Sequence, residues 1–268
     1  MSATERCARF HELHREGTFL IPNPWDVGSA RLLASLGFDA LATTSAGLAW
    51  SLGKDDQAVT RDELVSHVRL LAEAVEVPLA VDSERCYADT TAGVAETVHM
   101  LADAGAAGCS IEDYDPATGR IDEIGPATER VAAAATAARE TGLVLTARAE
   151  NHFYGGTDLD DTIARLLAYR AAGADVVYAP HLKDAVQIRT LVEAVDAPVN
   201  VLALRGGPTV AELAELGVRR VSTGGFLARA AYGGLLVAAR ELLATGTSEY
   251  AQTGLTPADR AAFEPRNA

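Results

Sequence analysis

Carboxylates stand at the ends of two short apolar runs. Asp82 and Glu84 follow PLAV, and Glu112 follows GCSI. On an extended strand, residues two apart face the same way, so Asp82 and Glu84 are expected to share a face. Acids that converge without a cation repel one another and hold each other protonated. A hard divalent ion removes that conflict. Mg²⁺ prefers oxygen donors and keeps several waters, so one or two direct carboxylates suffice, with the rest acting through water. Mn²⁺ accepts the same donors. Asp82, Glu84 and Glu112 are therefore the expected metal set. A lone strand-end acid serves as well as a helix cap, and the joint pattern with Arg148 is what raises the reading above that. Arg148 ends the apolar run LVLTA, where an unpaired cation is costly. Its forked guanidinium suits a substrate carboxylate, or a salt bridge to Glu150 or Glu112. A small dicarboxylate or oxo acid needs such a bidentate partner at its carboxylate.

Such residues must be positioned by a repeating scaffold, and the chain has one. Short β-branched runs alternate with Ala- and Leu-rich stretches of helical spacing, and a Gly often precedes the run, as in AGADVVYAP and LGVRRVSTGG. That Gly fits a helix C-terminus, where φ is often positive. Strands are expected near 19–22, 39–43, 78–82, 108–112, 143–148, 175–179, 198–203 and 219–223, with helices between them. Near-continuously apolar strands imply a parallel sheet covered on both faces. About eight βα units over 268 residues fit an α/β fold of the (β/α)8 TIM-barrel type, which needs roughly 250 residues. The whole chain, 1–268, is expected to be one barrel domain with a helical tail over about 247–268. An open doubly wound sheet is the alternative, but PNPWDVGSA after the first strand lacks the glycine fingerprint of such folds. The stretch 44–60 is expected to be a long loop over the site.

The formal net charge of −14 disfavours nucleic acid and anionic membrane surfaces as partners. The expected partner is a small anion, drawn in by a local cation. Three widely spaced cysteines exclude a disulfide framework, and the polar opening MSATERCARFHELHREG is no signal peptide, so a cytoplasmic location is expected.

With these residues in place, the chain resembles the isocitrate lyase/phosphoenolpyruvate mutase superfamily over about 10–244, closest to its short, unassigned bacterial branch. PNPWDVGSARLLASLGFDALATTSAGLAWSLG, GVAETVHMLADAGAAGCSIED, LTARAENHFYGG and DTIARLLAYRAAGADVVYAP carry the likeness. The resemblance implies a (β/α)8 barrel, a C-terminal helix exchanged between subunits of a homodimer or homotetramer, Mg²⁺, and an enolate intermediate. It puts the metal-side acids on Asp82, Glu84 and Glu112, and the mobile-loop acid on Asp56, with Asp55 as alternative. The oxo-acid-binding backbone falls on Ser45, Ala46 and Gly47 beside Trp25, and the carboxylate clamp on Arg148. Glu150 and Asn151, just past Arg148, are counted with the substrate-binding set.

Two departures stand out. The family's Asp-x-Asp-x-Gly-Tyr-Gly motif falls on Asp82 to Ala88, so Cys86, Tyr87 and Ala88 replace Gly-Tyr-Gly. Arg85 then either narrows the pocket or reads a second anionic group. Tyr87 is expected to orient the metal shell or substrate. Cys86 is either an acid/base group or a small packing residue. The lyase loop with its Cys-Gly-His is replaced by DYDPATGRIDEI. The expected activity is a Mg²⁺-dependent C–C lyase or decarboxylase acting on a 2-oxo or 2-hydroxy acid. The alternatives are C–P chemistry, as in phosphonopyruvate hydrolysis or mutase rearrangement, and an inactive metabolite-binding barrel. A Schiff-base aldolase is disfavoured because the only lysines are Lys54 and Lys183.

Overall fold

A computed structural model describes residues 1–264, so the end of the expected tail, 265–268, lies outside the described residues. The eight expected strands all form, most shortened at their ends. They are β1 (Phe19–Ile21), β2 (Leu41–Ala42), β3 (Leu79–Val81), β4 (Gly108–Glu112), β7 (Val144–Arg148), β8 (Val176–Tyr178), β9 (Val199–Leu202) and β10 (Arg220–Ser222). They make one parallel sheet in the order β1-β10-β9-β8-β7-β4-β3-β2. Between its two edges the Ala42 N–H donates to the Pro22 carbonyl at 3.1 Å, which brings the sheet round into a nearly closed (β/α)8 barrel. A small hairpin, β5 (Tyr114–Asp115) with β6 (Arg120–Ile121), fills DYDPATGRIDEI.

Helices α1 (Ala3–Leu13), α2 (Val27–Ser35), α4 (Arg61–Ala74), α5 (Thr91–Asp103), α6 (Ile124–Thr141), α7 (Leu159–Ala171), α8 (Ala185–Ala194) and α9 (Val210–Glu215) alternate with the strands. Side chains set most of their starts. Ser2, Asp26, Thr60, Thr90, Asp158, Asp184 and Thr209 each accept a first-turn backbone N–H, filling a donor that would otherwise lack a partner. One expectation is corrected. The stretch 44–60 is not all loop, because Thr44 caps a short helix, α3 (Ser45–Ser51), and only 52–60 runs free of helix. The tail forms α11 (Pro257–Arg260) and a 3-10 turn whose Phe263 carbonyl accepts from Arg31 of α2 at 3.4 Å. It therefore docks on its own chain. The helix before it, α10 (Phe226–Thr245), is different. Of its twenty residues only Ala228 is buried, and Leu243 is 88 % exposed. No helix among the described residues is long and apolar enough to cross a membrane.

α1 plugs the N-terminal end of the barrel. Phe10 is fully buried there, edge-on to His14 and Phe19. It fits because position 108 lacks a side chain: a Cβ there would meet Phe10 at 2.6 Å and the Val144 carbonyl at 2.8 Å. One row of register winds through the wall. Glu112 pairs with Arg148, Arg148 with Tyr178, Tyr178 with Asn200, and Asn200 with Arg220. The row begins on the last residues of β4 and β7 and ends on the first residue of β10. Because barrel strands tilt, it descends from the mouth towards the floor.

The plug yields a test. Gly108→Ala is expected to destabilise the fold by about 1–3 kcal/mol, since neither a buried ring nor a ladder carbonyl can give way cheaply. Urea unfolding followed by circular dichroism measures this, and an unchanged midpoint would contradict the packing.

Candidate active site

The C-terminal ends of the strands surround a cavity of about 360 Å³. It reaches well into the barrel, because Ala42, Ala80, Ser110 and Thr146 line it where such barrels usually carry bulky aliphatic side chains. Ser45, Ala46, Asp56, Asp82 and Arg148 line it as well.

Arg148 is the centre of the charge arrangement. Its Nη1 lies 2.6 Å from Asp82 Oδ1, its Nη2 3.2 Å from Glu112 Oε2, and its Nε 2.7 Å from Glu150 Oε1. Both alternatives for Arg148 therefore meet in one residue: it is salt-bridged, and it also faces the cavity. Its guanidinium carries more N–H groups than these three partners use. Its charge lies 5.5 Å from the centre of the Tyr178 ring. Asp82 is further fixed by the Ser45 N–H, which donates to Oδ2 at 3.0 Å.

Acid outweighs base here. Asp56, Asp82, Glu84, Glu112 and Glu150 share one neighbourhood with Arg148. Burial pushes the Glu84 carboxyl up to about 8, and the charges of Asp82 and Asp56 add to the shift. Glu112 is raised well above the carboxylate range by burial, against the pull of Arg148. Burial, then Asp82, also raises Asp56. Several oxygens nearby are buried without a hydrogen-bond partner: Glu84 Oε1, Gln57 Oε1, Tyr87 Oη and Ser110 Oγ.

These features fit a hydrated divalent ion. The donors are all oxygen, negative charge is in excess, and acceptors stand unfilled. Among the described residues no three acidic, His or Cys side chains close into a cage by themselves. Arg148 holds Asp82 and Glu112 apart from such a cage, so the arrangement suits one or two direct carboxylates, with water reaching the others.

The expected residues do not all gather. Gly47 is buried, and its N–H donates to the Thr44 hydroxyl at 3.3 Å as part of the α3 cap. A side chain at 47 would strike Thr44 and the Trp25 Cβ, so this glycine serves close packing. Trp25 packs towards Tyr232, and it is Trp50 that lines the cavity. Arg85 turns away to Asp122 of the hairpin segment, 2.8 Å distant. Asn151 donates to Thr162 at 2.7 Å and fastens the start of α7. Cys86 is fully buried in the core, and burial pushes its thiol up to about 12. That environment suits the packing role and removes the thiolate an acid/base role would use.

The loop bearing Cys86 is held by its carbonyls. Arg130 Nη2 donates to the carbonyls of Arg85 and Ala88, both at 2.7 Å, and the Thr97 hydroxyl to that of Cys86 at 2.8 Å. Glu84, Cys86 and Tyr87 all have positive φ, 46°, 59° and 50°. The left-handed backbone that glycine adopts freely at the second of these is kept here by a larger residue at a cost of about 1–2 kcal/mol. Sequence reasoning missed Gln57, whose Nε2 donates to Glu112 Oε1 at 3.0 Å from a left-handed turn beside Asp56. No motif marks it.

The phosphoenolpyruvate phosphomutase family profile matches residues 10–243. A protein of Mycobacterium tuberculosis without an assigned activity is 36 % identical over 224 residues, 80 % of this chain and 81 % of its own. The oxaloacetate decarboxylase of Paraburkholderia xenovorans is 33 % identical over 223 residues, 78 % of this chain and 71 % of its own. A crystal structure from Burkholderia cenocepacia, provisionally named a lyase/mutase, superposes with a TM-score of 0.94 at 47 % identity, covering 99 % of this chain and 98 % of that one.

The Glu84 environment predicts how stability depends on pH. Between its ordinary value of 4.5 and about 8, the folded chain holds a proton that the unfolded chain has lost. Stability contributed by this group therefore falls as pH rises through that window and levels off above it. Buried His14 and His67, held down to about 3 and about 4, act in the opposite sense, but only below their ordinary 6.5. From about pH 6.5 to 8, calorimetry of metal-free protein is expected to show a falling Tm. Glu84→Gln should flatten the slope, and Mg²⁺ should raise Tm more at the upper end. A metal-free Tm that rises across the window would contradict the assignment.

Proposed function

The chain belongs to the phosphoenolpyruvate phosphomutase family, and from that premise we propose that it is a divalent-metal-dependent carbon–carbon lyase acting on a small 2-oxo or 2-hydroxy acid. An oxaloacetate decarboxylase stands among its relatives, which supports the C–C lyase class. The observation that carries the reading is the excess of carboxyls around Arg148, of which Asp82 and Asp56 line the cavity while Glu84, Glu112 and Glu150 are buried beside them.

Asp82, Glu84 and Glu112 are the residues that would hold the ion. When bound, Mg²⁺ or Mn²⁺ supplies Lewis-acid stabilisation of charge developing on the oxo oxygen. The protein does the rest. Arg148, fixed from three sides, presents its remaining N–H groups to the substrate carboxylate. Ser45 holds Asp82 through its backbone N–H, and Gln57 holds Glu112. Asp56 stands where the 52–60 stretch meets the cavity. In a 2-oxo diacid the bond from C3 to the C4 carboxylate would break, CO2 would leave, the electron pair would form the C2–C3 enolate, and a proton would then be added at C3; in a 2-hydroxy diacid the hydroxyl would lose its proton, the C2–C3 bond would break to release an oxo acid, and the enolate of the other fragment would be protonated at C3. Cys86 is not assigned that proton.

The match to a phosphomutase profile keeps C–P chemistry as the second reading, and one experiment tests both. Oxaloacetate, substituted malates and phosphonopyruvate are incubated with the protein, with Mg²⁺ or with chelator, and followed by ¹H and ³¹P NMR. Mg²⁺-dependent cleavage of a 2-oxo or 2-hydroxy diacid is expected. Asp82→Ala and Arg148→Met should each lower kcat/KM on the order of a hundredfold or more. Phosphonopyruvate turnover alone would favour the second reading. Activity indifferent to both chelator and Asp82→Ala would end the metal-site reading.

The same proposal includes a homodimer or homotetramer. The exposed Leu235, Leu236, Val237 and Leu243 of α10 form an apolar surface suited to a second copy of the chain. Light scattering on the eluted protein is expected to give a dimer or tetramer mass, and Leu235→Glu with Leu243→Glu should shift it towards monomer. An unchanged mass would place the interface elsewhere.

A further inference from the structure

A second buried guanidinium lines the same cavity and plays no part in the chemistry above. Arg220 is the first residue of β10 and only 6 % exposed. Its Nε donates to Asn200 Oδ1 at 2.8 Å and its Nη2 to Thr146 Oγ1 at 3.0 Å, while Nη1 stands 3.5 Å from His14 Nε2. All three partners are neutral, His14 because burial pushes its pKa down to about 3. Among the described residues no carboxylate lies within ion-pair distance of Arg220. Arg148, in the same cavity, has three.

A buried cation without a counter-ion is costly, and an apolar side chain of similar volume would fill the barrel more cheaply. Small side chains leave open space in front of this one: Ser110 and Thr146, paired in register, both line the cavity. The Ser110 hydroxyl is buried with no partner. A cation, an unsatisfied hydroxyl and a cavity between them are the parts of an anion site. Arg148 and Arg220 sit three strand steps apart on the descending row. At about 4.8 Å per step that is an arc of roughly 14 Å between Cα atoms, much of which two long inward side chains close.

We propose that Arg220, with the Thr146 and Ser110 hydroxyls, forms a second anion subsite at the floor of the cavity, which takes the distal carboxylate of a dicarboxylate substrate whose oxo-acid end lies at Arg148. The inference rests on the 2-oxo-acid reading and names the side chains that would hold a diacid's second carboxylate. The exposed Arg229, also on the cavity wall, is the competing anchor for a second carboxylate.

Titration calorimetry of the full chain with Mg²⁺ separates these cases. The probes are two matched pairs, oxaloacetate with 2-oxobutyrate and 2-oxoglutarate with 2-oxopentanoate. In at least one pair the diacid is expected to bind about tenfold to a hundredfold more tightly, the worth of a buried charged hydrogen bond. Arg220→Gln should bring that preference to about twofold or less while leaving the monoacid affinity in place. Arg220→Lys keeps the charge, loses the fork, and should retain part of it, which keeps the test open if the Gln variant does not fold. Equal affinity for diacid and monoacid in the wild type overturns the subsite, as does a preference that survives Arg220→Gln and vanishes in Arg229→Gln. No binding of any oxo acid by the wild type would instead defeat the 2-oxo-acid reading, and the floor subsite with it.

Discussion

The mouth of the barrel is organised by one buried cation held among too many anions. Arg148 touches Asp82, Glu112 and Glu150, each from a different segment or strand position, so the ends of β3, β4 and β7 are drawn together by a single side chain. Three anions around one cation leave negative charge over, and Glu84 and Asp56 add to it. Burial makes that surplus expensive and raises the carboxyl pKa values of Glu84, Glu112 and Asp56. The site is therefore assembled in a state that favours uptake of a proton or a divalent ion. Its neighbours follow from this: Ser45 and Gln57 donate to acids that would otherwise accept too little, and Glu150 fixes the guanidinium from behind.

The loop after β3 shows how rigidly the arrangement is kept. Residues 84, 86 and 87 hold left-handed backbone without a single glycine among them. Arg130 and Thr97 grip the carbonyls of that loop, and the Glu112 N–H donates to the Glu84 carbonyl at 3.0 Å. Conformational cost is met by tertiary hydrogen bonds instead of by residue choice. The side chains gained in exchange are Cys86, which fills core, and Arg85, which ties down the hairpin through Asp122.

Much of this was legible from the chain alone. A Gly ahead of most of these runs, though not before β3 or β9, marked the strands, because the helix C-terminus and the next strand are local events. The acids at 82, 84 and 112 and the Arg at 148 were legible because strand ends in a parallel barrel share one rim. Local helix start signals in 44–51 were weaker guides: Thr44-Ser45-Ala46-Gly47 reads as loop until the Thr44 cap and the tight approach of Trp25 are seen. Gln57 and Arg220 could not be found by motif, since their roles depend on partners far away in the chain. Arg220 had one faint signal, a charged residue just inside the apolar run VRRVS. Of that Arg pair, Arg219 donates to the Gly17 carbonyl and Arg220 enters the barrel, as strand alternation demands.

The ring of strands has a seam. Between β1 and β2, among the described residues, one main-chain hydrogen bond runs from Ala42 to Pro22, backed by the Asn23 amide donating to the Thr43 carbonyl at 2.7 Å. Pro22 has no N–H to offer in return. Every other joint of the cylinder is a ladder. The barrel is thus less a hoop than a clasped bracelet, and the clasp lies on the rim of the cavity, one strand away from Arg220. Main-chain hydrogen bonds are fewest there, and the clasp is tied to the charged cluster, since the Thr43 hydroxyl accepts from the Asp82 N–H at 2.9 Å.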